Sequence, residues 1–202
     1  MSENPENIEW QQTATSDAAR AKALGQRGCV IWLTGLSGAG KSTIGLRLEA
    51  QLVTEGHAAF LLDGDNLRHG LCADLGFSNV DRDENIRRVS EVAGLFADAG
   101  IITVCTFISP MLEQRARARD IVGSERFIEV FVDASIEVCE GRDPKGLYAR
   151  VRQGEIEEFT GITADYEPPV QPDLHLRTDT EDAPASTDRI VDVLRQAGIL
   201  SA

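Results

Sequence analysis

The sequence reads Gly35-Leu36-Ser37-Gly38-Ala39-Gly40-Lys41-Ser42-Thr43 directly after an apolar run, and this stretch decides the fold. It matches in full the pattern G-x-x-x-x-G-K-[S/T] of a phosphate-binding loop, or P-loop. Its glycines let backbone N–H groups converge on phosphate oxygens, and the N-terminus of the helix that follows adds positive potential. In this pattern Lys41 reaches the β- and γ-phosphates, and the Ser42 hydroxyl binds Mg²⁺. All nine residues are therefore expected to bind ATP.

Strand-like and helix-like patterns alternate around this loop. The apolar run Cys29–Thr34 is typical of a parallel strand that is buried on both faces. Further strands are predicted at Ala58–Leu62, Ile101–Ile108, Phe127–Val132 and Leu174–Leu176. Helices are predicted at Asp17–Leu24, Lys41–Glu55, Asp83–Ala99, Leu112–Val122, Ser135–Glu140 and Ser186–Ala197. The alternation predicts an α/β fold of the P-loop NTPase type, with a parallel β-sheet and helices on both faces.

The chain divides into three parts by composition. Residues 1–27 are polar and lack a strong hydrophobic period, which predicts an N-terminal arm. Residues 28–202 are expected to form a single P-loop domain. Within it, residues 141–172 are charged, rich in glycine and proline, and poor in periodicity. A stretch of that length without clear strands is either disordered or a functional lid, and we interpret it as a lid.

Composition excludes several classes of partner. The net charge of −13 argues against nucleic acid, which is bound by neutralising its phosphates with Lys and Arg. No apolar run approaches the ~20 residues of a membrane helix. Met1–Asn7 lacks the basic and apolar character of a secretory signal, so we expect a cytoplasmic protein that does not bind membranes. An acidic protein that binds anionic phosphate ligands should gather its basic residues locally around the site.

Four cysteines lie at Cys29, Cys72, Cys105 and Cys139. None of them shows the C-x-x-C spacing of a metal knuckle or a redox pair. We expect structural thiols, with a regulatory disulfide as the alternative.

A second polar segment, Leu62-Asp63-Gly64-Asp65-Asn66-Leu67-Arg68, follows the second predicted strand. In open parallel sheets, ligands bind beyond the carboxyl ends of the strands. Two carboxylates there would orient a hydroxyl nucleophile and help to position a hydrated metal ion. Arg68 would bind an anion. Asp63 is the candidate base or hydroxyl-orienting group. The alternative is an ordinary Asp-Gly turn with solvated charges.

Short segments along nearly the whole chain, from Asn7 to about Leu176, resemble the adenylylsulfate (APS) kinase family. They occur in the order in which the family has them: Asn7-Ile8-Glu9-Trp10, the P-loop, Leu62-Asp63-Gly64-Asp65-Asn66, Asp74-Leu75-Gly76-Phe77, Glu84-Asn85-Ile86-Arg87-Arg88, Phe107-Ile108-Ser109-Pro110, Arg142-Asp143-Pro144-Lys145-Gly146-Leu147-Tyr148 and Phe159-Thr160-Gly161-Ile162. Each segment is short, but their combined order is highly specific.

The resemblance implies an enzyme of sulfate assimilation that uses ATP and Mg²⁺. It would transfer the ATP γ-phosphate to the 3′-hydroxyl of adenosine 5′-phosphosulfate (APS), giving PAPS and ADP. The catalytic residues implied are Lys41, Asp63, Asp65 and Ser109. The APS-binding residues implied are Asp65, Arg68, Phe77, Arg82, Asn85, Ile108, Ser109, Lys145 and Phe159, with the two phenylalanines on either side of the adenine. We also expect a homodimer.

The role of one residue stays open, and the sequence differs from the family pattern at two places. The resemblance implies that Ser109 is a possible phosphoserine intermediate, although direct transfer is chemically sufficient, and we interpret Ser109 as a pocket residue. Met111-Leu112 stand where the family has Tyr-Arg, and Gln11 replaces a histidine. Arg115 and Arg119 would offset part of the lost positive charge, unless they belong to a solvated helix face.

Three alternatives remain. The first is another P-loop kinase, for gluconate, shikimate or a nucleotide, which the acceptor-side segments argue against. The second is a GTP-binding switch protein, which would need an Asn-Lys-x-Asp element that the sequence lacks. The third is a non-catalytic sensor of APS or ATP, against which the intact Lys41, Ser42, Asp63 and Asp65 argue.

Overall fold

The computed structural model describes residues 8–9 and 11–200. A five-stranded sheet lies at its centre, in the order β2-β3-β1-β4-β5, and every pairing is parallel. The strands are β1 (Cys29–Thr34), β2 (Ala59–Asp63), β3 (Ile102–Thr106), β4 (Phe127–Asp133) and β5 (Leu174–Arg177). The predicted α/β fold with a parallel sheet is confirmed.

Among the described residues, eight α-helices surround the sheet: α1 (Asp17–Leu24), α2 (Lys41–Thr54), α3 (Gly64–Leu67), α4 (Asn79–Asp98), α5 (Leu112–Val122), α6 (Ile136–Arg142), α7 (Leu147–Arg152) and α8 (Ala183–Gln196). None of those traced in residues 8–9 and 11–200 is long and apolar enough to cross a membrane.

The core has two layers because β1 is buried on both faces. Ile31 and Leu33 pack with residues of α2 and α8, such as Leu48 and Leu194. On the opposite face, Trp32 packs with residues of α4 and α5. The alternating side chains of one strand therefore contact helices on both sides of the sheet, as the continuous apolar run predicted.

Several predicted boundaries are wrong by a few residues. Helix α4 begins at Asn79 and not at Asp83, because the Ser78 side chain caps it by accepting a hydrogen bond from the Asp81 N–H. Helix α8 begins at Ala183 and not at Ser186, with Asp182 as its cap. Strand β3 ends at Thr106, and residues 107–110, the turn after β3, have no regular secondary structure.

Two short helices were not predicted. Helix α3 follows Asp63 directly, and α7 lies inside the segment 141–172. That segment therefore contains regular structure, although its composition gave no periodic signal.

The polar N-terminal part joins the sheet through Gln26. Its amide donates to the carbonyls of Ala58 (2.9 Å) and Gly100 (2.8 Å) and accepts from the Ala58 N–H (2.8 Å). Helix α1 spans the predicted residues and is capped by Ser16. The family-like Asn7 and Trp10 lie outside the described residues.

The four cysteines are buried free thiols, as predicted. Burial raises the pKa of Cys29 to about 12, and it also raises the pKa of Cys105. Both thiols are therefore protonated at neutral pH.

Candidate active site

A cleft of about 1420 Å³ opens at the carboxyl ends of the parallel strands. The P-loop follows β1, Asp63 ends β2, and the turn at residues 107–110 follows β3. The structure brings nearly all predicted site residues to this cleft: Ser37, Gly38, Ala39, Gly40, Lys41, Ser42, Thr43, Asp63, Asp65, Arg68, Phe77, Arg82, Asn85, Ile108, Ser109, Lys145 and Phe159. Gly35 and Leu36 do not line it.

The P-loop is packed so tightly that two of its glycines cannot be replaced without movement. A Cβ at Gly35 would lie 2.2 Å from the Val132 carbonyl oxygen. Gly38 has φ +79, and a Cβ there would lie 2.7 Å from the carbonyl oxygen of Cys139. The loop is therefore held against β4 and α6 by close backbone contact, which fixes its N–H groups.

Lys41 is folded back over the loop at the start of α2. Its Nζ donates to the carbonyl oxygens of Gly35 (2.9 Å) and Leu36 (2.7 Å), and the residue is only 8% exposed. Burial lowers the pKa of Lys41 to about 8. The ammonium group is thus positioned beside the loop and is mostly charged at neutral pH.

Asp63 accepts three hydrogen bonds with its carboxylate. Oδ2 accepts from Ser42 Oγ (2.8 Å) and Thr106 Oγ1 (2.7 Å), and Oδ1 accepts from the Asp65 N–H (3.0 Å). Partial burial acts to raise the pKa of Asp63, but these hydrogen bonds outweigh it and the pKa lies below its ordinary value. Asp63 is therefore an ionised carboxylate in contact with the P-loop serine.

Lys145 reaches across the cleft from the segment before α7. Its Nζ forms an ion pair with the Asp65 carboxylate, and both side chains are more than half exposed. The contact joins residues that are 80 positions apart in sequence.

Two arginines surround the exposed Phe77. The Arg68 guanidinium lies 4.2 Å from the Phe77 ring centroid and donates to the Gly76 carbonyl (2.8 Å). Arg82 donates to the Phe77 carbonyl (2.8 Å) and to the Glu158 carbonyl (3.2 Å). Burial lowers the pKa of Arg82, but an arginine stays charged near neutral pH. The two guanidiniums are therefore partly occupied by backbone carbonyls.

Asn85 and Phe159 form a less exposed part of the wall. The Asn85 Nδ2 is buried and has no protein hydrogen-bond partner among the described residues. Phe159 is 8% exposed and packs edge-on against Tyr148, with ring centroids 4.9 Å apart. A buried amide without a partner is costly, which suits a group that binds a ligand.

Ser109 lies in a strained turn after β3. Its φ is +39°, a value that L-residues other than Asn and Asp seldom adopt. The residue is 2% exposed, and its hydroxyl accepts a hydrogen bond from the Trp32 indole N–H (3.0 Å). Backbone strain of this kind is often found at functional sites.

The sequence prediction missed a second set of residues lining the cleft, after β5 and in α6 and α7. Thr178 donates from its hydroxyl to the Ala39 carbonyl (2.7 Å), and Arg142 donates to the Gly38 carbonyl (3.2 Å). These contacts place the start of the Thr178–Ala183 segment against the P-loop. No pattern in the sequence signals them, because the two segments lie far apart in the chain.

The charge of the cleft is mixed. Basic side chains do gather there, as predicted: Lys41, Arg68, Arg82, Arg142, Lys145 and Arg150. Acidic residues line the same cleft, including Glu157, Glu158, Asp179, Glu181 and Asp182. The expected positive pocket is therefore limited to parts of the wall.

Arg115 and Arg119 do not supply charge to the cleft, contrary to the suggestion from the sequence. Arg115 is buried and paired with Glu129 (2.8 Å), and Arg119 is paired with Asp173 (2.7 Å). Met111 and Leu112, which replace the family's Tyr-Arg, also lie outside the cleft lining, at the start of α5.

Comparison with known proteins shows the family of the chain. The family model described as adenylylsulphate kinase matches residues 27–177. The adenylyl-sulfate kinase of Clostridium acetobutylicum is 53% identical over 194 residues, covering 96% of each chain. That of Aeromonas salmonicida is also 53% identical, covering 96% of this chain and 99% of its own.

A solved structure is similar along most of the chain. It is the Mycobacterium tuberculosis APS kinase CysC in complex with AMPPNP and APS, with 48% identity and a TM-score of 0.81. The match covers 84% of this chain and 99% of the other. The cleft brings residues 37–43 of the P-loop together with the acceptor-side segments, and the family model spans most of the chain. The chain therefore belongs to the adenylylsulphate kinase family.

Proposed function

We propose that the chain transfers the γ-phosphate of ATP to the 3′-hydroxyl of APS, giving PAPS and ADP, and that the cleft described above is its active site. The observation that carries the proposal is the contact between the two halves of the cleft. The P-loop serine, Ser42, hydrogen-bonds directly to Asp63 of the acceptor-side segment. A nucleotide on the loop and an acceptor beside Asp63 would then be neighbours, as phosphoryl transfer requires.

We assign ATP binding to the P-loop, residues 35–43, of which residues 37–43 line the donor half of the cleft. The backbone N–H groups at the start of α2 favour an anion, and Lys41 would turn from the Gly35 and Leu36 carbonyls toward the phosphates of ATP. Arg142 and the Thr178–Ala183 segment are the additional candidates for contact with ATP. We assign Lys41 to charge stabilisation during transfer.

The oxygen donors at Ser42 and Asp63 fit Mg²⁺. This ion is commonly held by one or two protein oxygens together with phosphates and water, and the Ser42 hydroxyl and Asp63 carboxylate lie 2.8 Å apart. Bound there, Mg²⁺ would neutralise charge on the β- and γ-phosphates of ATP. Asp63 keeps its negative charge because three hydrogen bonds stabilise the ionised form.

Asp63 and Asp65 are assigned to the acceptor hydroxyl and its surroundings. The low pKa of Asp63 makes it a weak base, so orienting the 3′-hydroxyl is the role that its chemistry favours. Direct transfer needs little more than orientation and charge stabilisation. Ser109 is assigned to the pocket wall, because its hydroxyl is buried and hydrogen-bonded to Trp32.

The acceptor pocket is assigned to the residues on the far side of the cleft. Phe77 is 62% exposed and offers an aromatic face to the APS adenine, while Phe159 would contact it from the lid. The buried Asn85 amide offers an unused donor to APS. Arg68, Arg82 and Lys145 would bind the anionic groups, with Ile108 beside them in the wall.

Residues 141–172 are assigned to a lid over one P-loop kinase domain, which would run from residue 28 to the end of the chain. Two contacts support this role: the ion pair between Lys145 and Asp65, and the hydrogen bond from Arg82 to the Glu158 carbonyl. Both link the segment to the acceptor side of the cleft. Closure would exclude water and strengthen the contacts with the anionic ligands.

A coupled assay of ADP release with different acceptors tests the function. APS should support turnover, whereas AMP, gluconate and shikimate at equal concentration should give only background ADP. Activity with gluconate or shikimate and none with APS would instead identify another metabolite kinase. The expected homodimer is tested separately by sedimentation of the same preparation.

Replacing Arg82 by alanine should weaken APS binding by about 10- to 150-fold, the loss expected for a charge-assisted hydrogen bond worth about 1.5–3 kcal/mol. ATP affinity, measured without APS, should hardly change, because Arg82 contacts the acceptor side and the lid. Calorimetric titration of each ligand measures both effects. Equal weakening of ATP and APS, or of neither, would mean that the acceptor pocket is misplaced.

Arg87→Ala is the matched control for Arg82. Arg87 lies on the same helix, α4, but it pairs with Glu84 and does not line the cleft. Its replacement should leave both affinities unchanged.

A further inference from the structure

The turn at Ile108-Ser109-Pro110 has a strained backbone, so contacts with the surrounding structure must stabilise its conformation. Ser109 adopts φ +39°, which is unfavourable for a serine, and the turn carries Ile108 and Ser109 into the cleft wall. A turn with such a backbone keeps one geometry only if its surroundings impose it. The carbonyl oxygens of Ile108 and Ser109 both accept hydrogen bonds from side chains outside the turn.

Arg115 hydrogen-bonds to this turn from outside the cleft. Its Nη1 donates to the Ser109 carbonyl oxygen at 2.6 Å, and its Nη2 donates to the Glu167 carbonyl at 2.6 Å. Its Nε donates to Glu129 Oε1 on β4 at 2.8 Å. One guanidinium therefore joins α5, β4, the acceptor-side turn and the end of the lid segment.

The burial of Arg115 argues against a mere surface ion pair. Its side chain is 2% exposed, and that of Glu129 is 13% exposed. Removing two charges from water is costly, so a buried ion pair contributes little net stability. The pair does fix the position of the Arg115 guanidinium. The planar fork of arginine, which can donate in several fixed directions at once, suits a contact with three acceptors.

Two other side chains reach the same turn. Thr34, at the end of β1, donates to the Ile108 carbonyl at 2.7 Å. The Trp32 indole donates to the Ser109 hydroxyl at 3.0 Å. The Trp32 N–H therefore reports on the position of Ser109.

We propose that Arg115 is a positioning residue for the acceptor: through the Ser109 carbonyl it holds the strained turn in the geometry that presents Ile108 and Ser109 to the substrate. Arg115 does not line the cleft, so it acts only through the turn. The effect on APS rests on the proposed function, whereas the effect on the turn does not.

Arg115→Lys tests the proposal, because lysine keeps the charge but cannot donate along all three directions of the fork. The KM for APS should rise about 10-fold or more, as expected when a hydrogen bond to a charged group is lost. The dissociation constant for ATP, measured alone, should stay within about twofold, since the P-loop contacts are not altered. Steady-state kinetics and calorimetry measure the two quantities.

The indole N–H resonance of Trp32 gives a second readout that does not depend on activity. The chain has two tryptophans, so Trp10→Phe assigns the signal. Arg115→Lys should shift or broaden the Trp32 resonance because the Ser109 hydroxyl moves. If wild-type protein phosphorylates no APS, the proposed function fails, and this resonance still decides whether Arg115 holds the turn.

Arg117→Lys is the matched control. Arg117 lies two residues further along α5, its side chain is exposed, and it does not line the cleft. Its replacement should leave the Trp32 resonance and the KM for APS unchanged. Equal effects of the two variants, or no effect of Arg115→Lys on either readout, would overturn the proposal.

Glu129→Gln covers the case in which Arg115→Lys does not fold. It removes the charge that anchors Arg115 and leaves the guanidinium in place. Both readouts should then change in the same direction as for Arg115→Lys, but less. A normal Trp32 resonance together with a normal KM for APS in this variant would equally overturn the proposal.

Discussion

Lys41→Ala is expected to lower kcat by about 10²- to 10³-fold or more, because it removes a preorganised positive charge where negative charge is redistributed during transfer. Lys41 is the P-loop lysine and is buried beside the loop, with its Nζ on the Gly35 and Leu36 carbonyls. Steady-state kinetics at saturating ATP and APS measure the loss. Thermal unfolding should show that the variant remains folded.

Lys22→Ala is the control for this change. Lys22 lies on α1 and does not line the cleft, and the chain has only one other lysine, Lys145. The control should keep wild-type kcat. Near-wild-type turnover of Lys41→Ala at saturating ATP would remove Lys41 from the transfer step.

The second large effect is expected at Asp63. Asp63→Asn should lower kcat by about 10²- to 10⁴-fold while changing the affinity for APS far less, since the contact matters most in the transition state. The amide keeps the shape of the side chain but lacks the charge, and its NH₂ group cannot accept the hydrogen bonds that Ser42 and Thr106 donate. Comparison of kcat with the calorimetric affinity for APS separates the two effects.

Asp98→Asn provides the control, because Asp98 ends α4 and lies outside the cleft lining. It should not change kcat. An unchanged kcat for Asp63→Asn with a raised KM for APS would mark Asp63 as a binding residue only.

The central sheet and the P-loop could be predicted because both have strong local signals. Six consecutive buried residues form β1, and a complete eight-residue pattern follows them between a strand and a helix. The acceptor-side residues were found by resemblance, because single residues such as Asn85 have no local signature. The structure places these residues together in one cleft.

The start of α4 was missed for a physical reason. Asn79, Asp81 and Arg82 are polar and Val80 is exposed, so the apolar period becomes visible only from Ile86, whereas the helix begins at the Ser78 cap. Helix α7 spans only six residues, too few for a period to be seen. Short helices are stabilised by tertiary contacts such as the Tyr148 hydroxyl on the Ser37 carbonyl.

The burial of Arg115 and the contact of Thr178 with the P-loop could not be predicted. An arginine-rich helix such as α5 is typical of a solvated face, and only the fold brings Glu129 and the Ser109 carbonyl to Arg115. Thr178 meets Ala39 across 139 residues of sequence. Long-range polar contacts of this kind depend on the path of the chain.

The position of the transferred phosphate tests the account most directly. Wild-type protein is incubated with ATP, Mg²⁺ and APS, and the nucleotide product is studied by phosphorus and proton NMR. We expect a new phosphomonoester whose phosphorus couples to the ribose H3′, formed in equal amount with ADP. A phosphate at another position, or ADP formed while APS stays unchanged, would contradict the assignment of this cleft to 3′-hydroxyl transfer.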